Sequence, residues 1–378
     1  MNIPLSKTTQ HVEFIEYFKD LEDPRQAKKL IYPFDEILFL VLCGVLCGAN
    51  GWMEISVFGQ QKLQFLKRFF PFADATPSHD QLGYIFSRLD SEQFQSCFIS
   101  WVSSLQKSSE GVIAVDGKTL RRSFDKGGEK GAIHMVSAWC CAQNLVLGQV
   151  QVNDKSNEIT AIPKLLELLE IEGAIITIDA MGCQRDIAQN IIDKQADYIF
   201  SLKGNQGTLH KDIEDFFNDH KKRNTDVITK GYHDKLKRKH GRIELRRVTV
   251  CNAINTLQGS HKWPGLKTII MREYLRSEND EITTETWYYI SSLDEDATFM
   301  ASAIKDHWAI ENKLHWVMDM VFRDDECRVR KDNAPANFTT IKHMANNILR
   351  QNKGKQSMNV KRHIAAWNED FLAELITG

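Results

Sequence analysis

Two aspartates follow short apolar runs in the middle of the sequence. Asp116 comes after residues 112–115 and is followed by Gly117, and Asp179 comes after residues 175–178. Runs of this kind are typical of buried strands, and an aspartate at the end of such a strand lies at the sheet edge, where α/β proteins place their sites. An aspartate there also caps a turn or helix, and this alternative stays open for each residue alone. Two such strands in one domain favour a shared site.

Glu311 is the third carboxylate with an unusual position. On a helix over residues 304–322, at about 100° per residue, Glu311 lies at the centre of a wide apolar arc that includes Met318, with His307 beside it. The spacing predicts a buried carboxylate. Because an unpaired buried charge costs several kcal/mol, Glu311 needs an arginine, a lysine or a metal ion as its partner. A structural salt bridge and a metal ligand facing the two aspartates are the alternatives.

Three carboxylates, two at strand ends and one on a late helix, suit hard divalent cations. Mg²⁺ takes oxygen ligands and keeps water and phosphate oxygens in its shell. Two such ions about 4 Å apart activate a hydroxyl or water and stabilise the leaving oxygen of an in-line phosphoryl transfer. The residues therefore indicate metal-assisted phosphoryl transfer.

The composition limits the possible classes of protein. The 378 residues carry 48 Lys and Arg against 50 Asp and Glu, which excludes a uniformly basic surface but not a local basic patch. The longest apolar run, 37–49, is too short for the roughly 20 residues of a membrane span, and residues 1–10 lack the pattern of a signal peptide. We expect a soluble, cytoplasmic protein. The eight cysteines form no Cys-x-x-Cys pair, which favours free thiols over zinc or disulfides.

The periodicity of the chain changes near residue 108. Residues 10–105 have the spacing of helices, which predicts an all-helical N-terminal domain over 1–108. Residues 109–378 then read as β-β-β-α-β-α-β, which predicts an α/β domain with a mixed sheet and helices packed on it. Three more predicted strands between 243 and 290 read as a β-rich insertion at about 230–295. Helices follow after residue 296.

Basic residues near the predicted site could hold phosphate groups. Several follow Asp116 directly, another follows the strand 198–202, and others belong to a basic run over 235–242, for which a solvated loop is the alternative. The helix 79–89 is a candidate reader of DNA, although a plain bundle helix explains it equally well. The candidate phosphate contacts are Lys118, Arg121, Arg122, Lys203, Lys239 and Arg242.

Three blocks of the sequence resemble the bacterial insertion-sequence DDE transposases, and specifically the H-repeat-associated group linked to Rhs elements. The blocks are Asp116-Gly-Lys-Thr-Leu-Arg121, Ile178-Asp-Ala-Met-Gly-Cys-Gln184 and His307-Trp-Ala-Ile-Glu-Asn-Lys-Leu-His-Trp316. Further matching stretches lie at 202–206, 240–244 and 322–330. The blocks occur in the expected order and the resemblance covers most of the chain.

The resemblance implies an RNase H-like catalytic core in which Asp116, Asp179 and Glu311 form the metal-binding triad. It implies Mg²⁺ as cofactor, with two ions and with Mn²⁺ as a substitute. The implied reaction is DNA strand cleavage at the terminal repeats of an element, followed by strand transfer to target DNA. The implied assembly is a homodimer that bridges two element ends, at the nucleoid when bound to DNA.

The sequence departs from one family signature. Related transposases place a tyrosine, an arginine, a glutamate and a lysine at positions that here hold Ile304, His307, Glu311 and Met318, so only the glutamate is present. His307, Lys313 and His315 could partly replace the missing DNA contacts. A catalytically silent or domesticated DNA-binding derivative is therefore the alternative function. A general metal-dependent nuclease or phosphatase is a third reading.

Overall fold

The N-terminal part of the chain is helical, as the sequence predicts. The computed structural model describes residues 11–26, 30–124, 131–152, 157–223, 229–239, 242–252, 254–257, 262–278, 281–294 and 296–377. A 3₁₀ turn, Glu13–Phe18, precedes the helices α1 (Phe34–Leu46), α2 (Trp52–Gln61), α3 (Leu63–Leu66), α4 (His79–Arg88) and α5 (Ser91–Leu105). Ser78 begins α4 with a capping box, in which its side chain and that of Gln81 each accept the other's backbone N–H.

A nine-stranded mixed sheet forms the centre of the molecule, in the order β3-β2-β1-β4-β5-β9-β8-β7-β6. Strand β1 pairs antiparallel with β2 and parallel with β4, and β4 pairs parallel with β5. The predicted β-rich insertion continues this sheet, because β9 pairs antiparallel with β5. The strands are β1 (Gly111–Thr119), β2 (His134–Cys140), β3 (Leu145–Val152), β4 (Ala174–Ile178), β5 (Asp197–Leu202), β6 (Thr229–Lys239), β7 (Arg242–Cys251), β8 (Thr268–Glu278) and β9 (Glu281–Ser291).

Helices cover both faces of the sheet. On one face, Met300 and Ile304 pack against Val112 and Ile199 of the sheet. The other face belongs to a larger core that continues into the N-terminal helices. The remaining helices are α6 (Glu158–Leu168), α7 (Arg185–Asp193), α8 (Gly207–Arg223), α9 (Ala297–Ala309), α10 (Trp316–Met320), α11 (Ala334–Gln351), α12 (Met358–Trp367) and α13 (Glu369–Thr377), with a π-helical turn, Ile310–His315, between α9 and α10.

Helix α11 joins the N-terminal helices to the sheet. It contacts α1, α4, α5 and β3, and its residues from Ala334 to Leu349 are buried although many are polar. The side chain of Asn337 donates to the carbonyl oxygens of Phe86 and Leu89. The side chain of Asn347 accepts from the backbone N–H of Val146 on the edge strand β3 and donates to its carbonyl oxygen. These hydrogen bonds satisfy the amide of Asn347 and the NH₂ group of Asn337. The division of the chain at residue 108 stays a prediction.

None of the helices in the described part of the chain combines the length and the apolar character needed to cross a lipid bilayer.

Candidate metal centre

Parallel pairing of β1 with β4 places Asp116 beside Asp179. Val115 lies opposite Ile178 at the last pair of this ladder, so the next residue on each strand is an aspartate. Neighbouring strands lie about 4.8 Å apart, which brings both carboxylates to one edge of the sheet. The prediction that Asp116 ends its strand is wrong in detail, since β1 continues to Thr119 through its pairing with β2.

Glu311 lies in the π-helical turn and reaches the same edge. The backbone N–H of Trp316 donates to the carbonyl oxygen of Glu311, five residues earlier. The prediction that Glu311 is buried is wrong, because 62% of its side chain is exposed. The extra residue in the π-turn changes the phase of the helix, so a projection at about 100° per residue places Glu311 on the wrong face.

His315 lies between two of the carboxylates. Its Nδ1 is 3.3 Å from Glu311 Oε2 and 3.5 Å from Asp116 Oδ2. Ligand atoms of these three residues all lie within 4.8 Å of one another. From the sequence, His315 is predicted only as a substitute DNA contact, and its position between two carboxylates is not predicted. Its spacing of four residues from Glu311 was the signal that could have found it.

Burial makes this edge of the sheet unfavourable for free carboxylates. Desolvation, together with the nearby charges of Asp179, Glu158 and Glu311, raises the pKa of Asp116 to about 7. A hydrogen bond from the backbone of Gly117 acts in the opposite direction. A divalent cation would relieve both the burial and the mutual repulsion of these carboxylates.

The donor set fits a divalent metal ion. Burial lowers the pKa of His315, so its imidazole is neutral at physiological pH and able to bind metal. Nε2 of His315 is buried and has no hydrogen-bond partner among the described residues. Carboxylate oxygens suit Mg²⁺ and Mn²⁺, and one imidazole beside them suits Mn²⁺ better than Mg²⁺.

Asp179 also caps the turn that follows β4, and such a cap was the alternative role for this aspartate. Its Oδ1 accepts from the backbone N–H groups of Met181 and Gly182, at 3.0 and 3.2 Å. These bonds orient the carboxylate at the end of β4.

His307 lies nearby. Its Nδ1 is 3.0 Å from Thr177 Oγ1, and burial lowers the pKa of His307. A neutral His307 is a poor substitute for a cationic phosphate contact.

A second His–Glu pair lies against the opposite side of β1, and the sequence analysis did not find it. His134 Nε2 is 2.6 Å from Glu158 Oε1, and His134 Nδ1 is 2.8 Å from Thr119 Oγ1. A side chain at position 117 would meet both partners, because a Cβ on Gly117 would lie 2.1 Å from Glu158 Oε1 and 2.4 Å from His134 Nε2. The glycine therefore lets this pair approach the strand that carries Asp116.

Two of the predicted phosphate contacts are already ion-paired. Lys118 Nζ lies 2.5 Å from Asp319 Oδ1 and 3.7 Å from Asp325 Oδ1, with 14% of its side chain exposed. Arg121 Nε lies 3.4 Å from Asp325 Oδ2. Asp319 is on α10, so these pairs fasten β1 to the helix that follows Glu311.

The other predicted contacts are spread over the surface. Arg122 is exposed, and Lys203 follows β5 at the edge that carries the carboxylates. Lys313 does not face that edge, since its Nζ donates to Asn144 Oδ1 at 2.8 Å, in the turn near the opposite end of β1. Lys239 and Arg242 are the last pair of the β6–β7 hairpin, and their side chains lie outside the described part of the structure.

Comparison with known proteins decides the family. The family model described as "Transposase DDE domain" matches residues 107–348, and the model described as "DDE_Tnp_1-associated" matches residues 15–102. The chain belongs to the DDE transposase family. Its α/β sheet and its cluster of carboxylates agree with that family, whose members act on DNA.

Relatives in Escherichia coli are similar over nearly their whole length. The protein named "H repeat-associated putative transposase YhhI", from strain K12, is 40% identical over 99% of this chain and 98% of its own length. The protein named "Putative transposase YncI", from strain O157:H7, is 41% identical over 96% of this chain and 94% of its own. The predicted resemblance to the H-repeat-associated group of DDE transposases is therefore confirmed.

The sequence lacks the tyrosine and the lysine of the family signature, and the residues at those two positions are buried. Ile304 and Met318 take the positions of its tyrosine and lysine, and they are 2% and 1% exposed. Both side chains belong to the apolar cores. Neither side chain is therefore exposed enough to supply the contact that the tyrosine or the lysine of the signature would make.

Proposed function

We propose that this protein is an active DDE transposase that cleaves DNA at the ends of its own element and joins them to target DNA. The observation that carries the proposal is the cluster of Asp116, Glu311 and His315, with Asp179 directly after the neighbouring parallel strand. The strand order β3-β2-β1-β4-β5 supports an RNase H-like core over residues 109–378.

In this proposal Asp116, Asp179 and Glu311 hold two Mg²⁺ or Mn²⁺ ions. When bound, such ions activate water or a hydroxyl and neutralise charge on the scissile phosphate. The protein's own part is to position the DNA and to keep the carboxylates in place, through the Asx-type bonds of Asp179 and the contact of His315 with Glu311. Hydrolysis frees a 3′-hydroxyl at the element end, and that hydroxyl attacks target DNA. Two copies of the chain bridge the two ends.

Cleavage of cognate DNA tests the proposal. We expect purified full-length protein to nick duplexes that carry the DNA flanking its own gene when Mn²⁺ or Mg²⁺ is present, and not in EDTA. Asp116→Asn, Asp179→Asn and Glu311→Gln preserve side-chain shape and should each abolish nicking. Nicking that survives all three substitutions would exclude this site as the catalytic one.

A silent DNA-binding derivative is the second candidate. The burial of Ile304 and Met318 and the ion-pairing of Lys118 with Asp319 favour it, because they remove contacts to DNA phosphate from the catalytic edge. Binding of the flanking DNA without any metal-dependent nicking would support this candidate. Nicking without preference for those ends would instead indicate a general nuclease.

A further inference from the structure

A groove with basic residues on one wall lies between α4 and the segment that follows α10. It consists of two adjoining cavities of about 440 and 480 Å³. Both cavities are lined by Trp52, His79, Arg328 and Val329, so they form one continuous groove. We call it the α4 groove. One wall of the α4 groove includes residues of α4, and the opposite wall is the segment 323–331, which follows α10.

The charge of the α4 groove is concentrated on the segment 323–331. This wall carries four cations: Arg323, Arg328, Arg330 and Lys331. Arg328 and Lys331 are exposed, and neither is ion-paired with any described residue. The carboxylates that line the groove already have neighbours: Glu326 lies 3.6 Å from Arg323, Asp80 lies 3.4 Å from His79, and Glu54 accepts from the backbone N–H of Asn50.

The segment 323–331 contacts the stretch of chain that follows Asp116 of the candidate metal centre. Asp325, in the same segment, contacts both Lys118 and Arg121, which follow Asp116 on the chain. Nε of Arg330 donates to the carbonyl oxygen of Arg122 at 2.9 Å. The residues after Asp116 and the basic wall therefore touch directly.

A buried ion pair with α11 fixes the position of the segment 323–331. Asp324 is buried and pairs with Lys342 of α11, with 2.6 Å between Lys342 Nζ and Asp324 Oδ1. Arg323 has a positive φ of 52° and Asp332 one of 45°, a backbone conformation that is uncommon for residues other than glycine. The backbone that carries the cations is thus already ordered, which lowers the conformational entropy lost on binding.

We propose that the α4 groove binds the sugar-phosphate backbone of duplex DNA close to the metal centre. The proposal rests on the proposed function as a transposase. The exposed, unpaired side chains of Arg328 and Lys331 match a phosphate backbone, and arginine can bind a phosphate with two hydrogen bonds. Tyr84, which is 45% exposed and lines the groove, offers a flat apolar surface to a sugar or base. The groove supplies affinity and orientation, whereas the metal centre supplies the chemistry.

Binding of DNA in Ca²⁺ tests this proposal without cleavage. The full-length protein is titrated onto a labelled duplex carrying the DNA that flanks its gene, and fluorescence anisotropy gives Kd at several salt concentrations. Arg328→Ala with Lys331→Ala should weaken binding about tenfold or more at 0.1 M salt. It should also reduce the slope of log Kd against log salt by about 2, at roughly 0.9 for each lost phosphate contact.

A matched control removes the same charge from another surface. Lys353 and Lys355 are exposed and follow the other end of α11, so Lys353→Ala with Lys355→Ala should leave Kd and the salt slope nearly unchanged. Arg328→Lys with Lys331→Arg should retain most of the affinity. Unchanged thermal unfolding of each variant shows that the fold persists.

The possible results separate the two proposals. Wild-type binding that the groove variant leaves unaltered, or that the control variant weakens equally, would overturn the assignment of the α4 groove while the transposase function stands. A wild-type protein that binds neither flanking nor random duplex would contradict the transposase function itself, and the groove assignment with it.

Discussion

Asp116 is the residue whose chemistry depends most on its surroundings. Burial and three neighbouring carboxylates raise its pKa to about 7, whereas an aspartate in an unfolded chain titrates near 3.9. Between these pH values the folded protein keeps a proton that the unfolded chain releases. The metal-free protein therefore loses stability as the pH rises from about 4 through 7.

This titration predicts how metal ions stabilise the protein. A divalent ion replaces the proton on Asp116, so Mn²⁺ should raise the melting temperature more at pH 8 than at pH 6. At a hundredfold excess over Kd the stabilisation should reach about 2.7 kcal/mol. Thermal unfolding with and without Mn²⁺ measures this effect. Asp116→Asn should remove both the metal effect and its pH dependence, and an equal shift at both pH values would contradict the prediction.

His315 is predicted to increase the affinity of the same site for metal ions. Because its Nδ1 faces Asp116 and Glu311, His315→Gln should weaken Mn²⁺ binding about 10–100-fold, whether the imidazole binds the ion or orients its ligands. Isothermal titration calorimetry measures this affinity. His363→Gln, at an exposed histidine on α12, is the control and should leave Mn²⁺ binding unchanged.

At the scale of elements, the π-helical turn decides where Glu311 points. It lies between α9, which packs on the sheet, and α10, which is fastened to β1 through Lys118 and Asp319. A π-turn is less favourable than a regular helix and occurs often at functional sites. Here it turns Glu311 towards His315 and away from the core.

Removing one residue from this turn should remove the site and keep the fold. Asn312 is exposed, and its deletion lets Ile310–His315 continue as a regular α-helix. We expect folding to persist and Mn²⁺ binding and DNA nicking to be lost, because the bulge that brings the Glu311 carboxylate to His315 and Asp116 is gone. Asn312→Ala keeps the π-turn and should retain both activities. A deletion variant that still binds Mn²⁺ would show that the turn has no such role.

At the scale of the whole molecule, Arg362 fastens the N-terminal helices to the helix after Glu311. Its guanidinium is 3% exposed and donates to the carbonyl oxygens of Val45, at the end of α1, and of Val321, after α10. It also packs on the ring of Phe322. Burial lowers the pKa of Arg362 to about 10, so it remains charged at physiological pH.

Loss of this arginine should destabilise the entire chain. Arg362→Met removes the guanidinium bonds to Val45 and Val321, and each lost bond from a buried charged group is worth roughly 1–3 kcal/mol. The Val321 oxygen loses its donor among the described residues, whereas the backbone N–H of Gly48 still donates to the oxygen of Val45. We therefore expect the free energy of unfolding in urea to fall by about 2–5 kcal/mol. Arg68→Met, at a more exposed arginine of the same helical region, should change it by less than about 1 kcal/mol. Equal stability of the two variants would contradict this role for Arg362.

The sequence by itself determined the helical N-terminal part and most strands of the sheet, and it singled out the three carboxylates that we propose as metal ligands. These features follow from local periodicity and from the residues at the ends of apolar runs. Both depend only on residues that are close together in the chain. It also placed Asp116 and Asp179 at one edge, because parallel strands end together.

Only the tertiary structure decided the rest. The direction of Glu311, the position of His315 and the complete burial of the polar helix α11 depend on contacts between residues far apart in the chain. The same is true of Lys118, whose partner Asp319 lies 201 residues away. Such choices depend on which surfaces meet after folding, and a pattern that repeats every few residues carries no information about them.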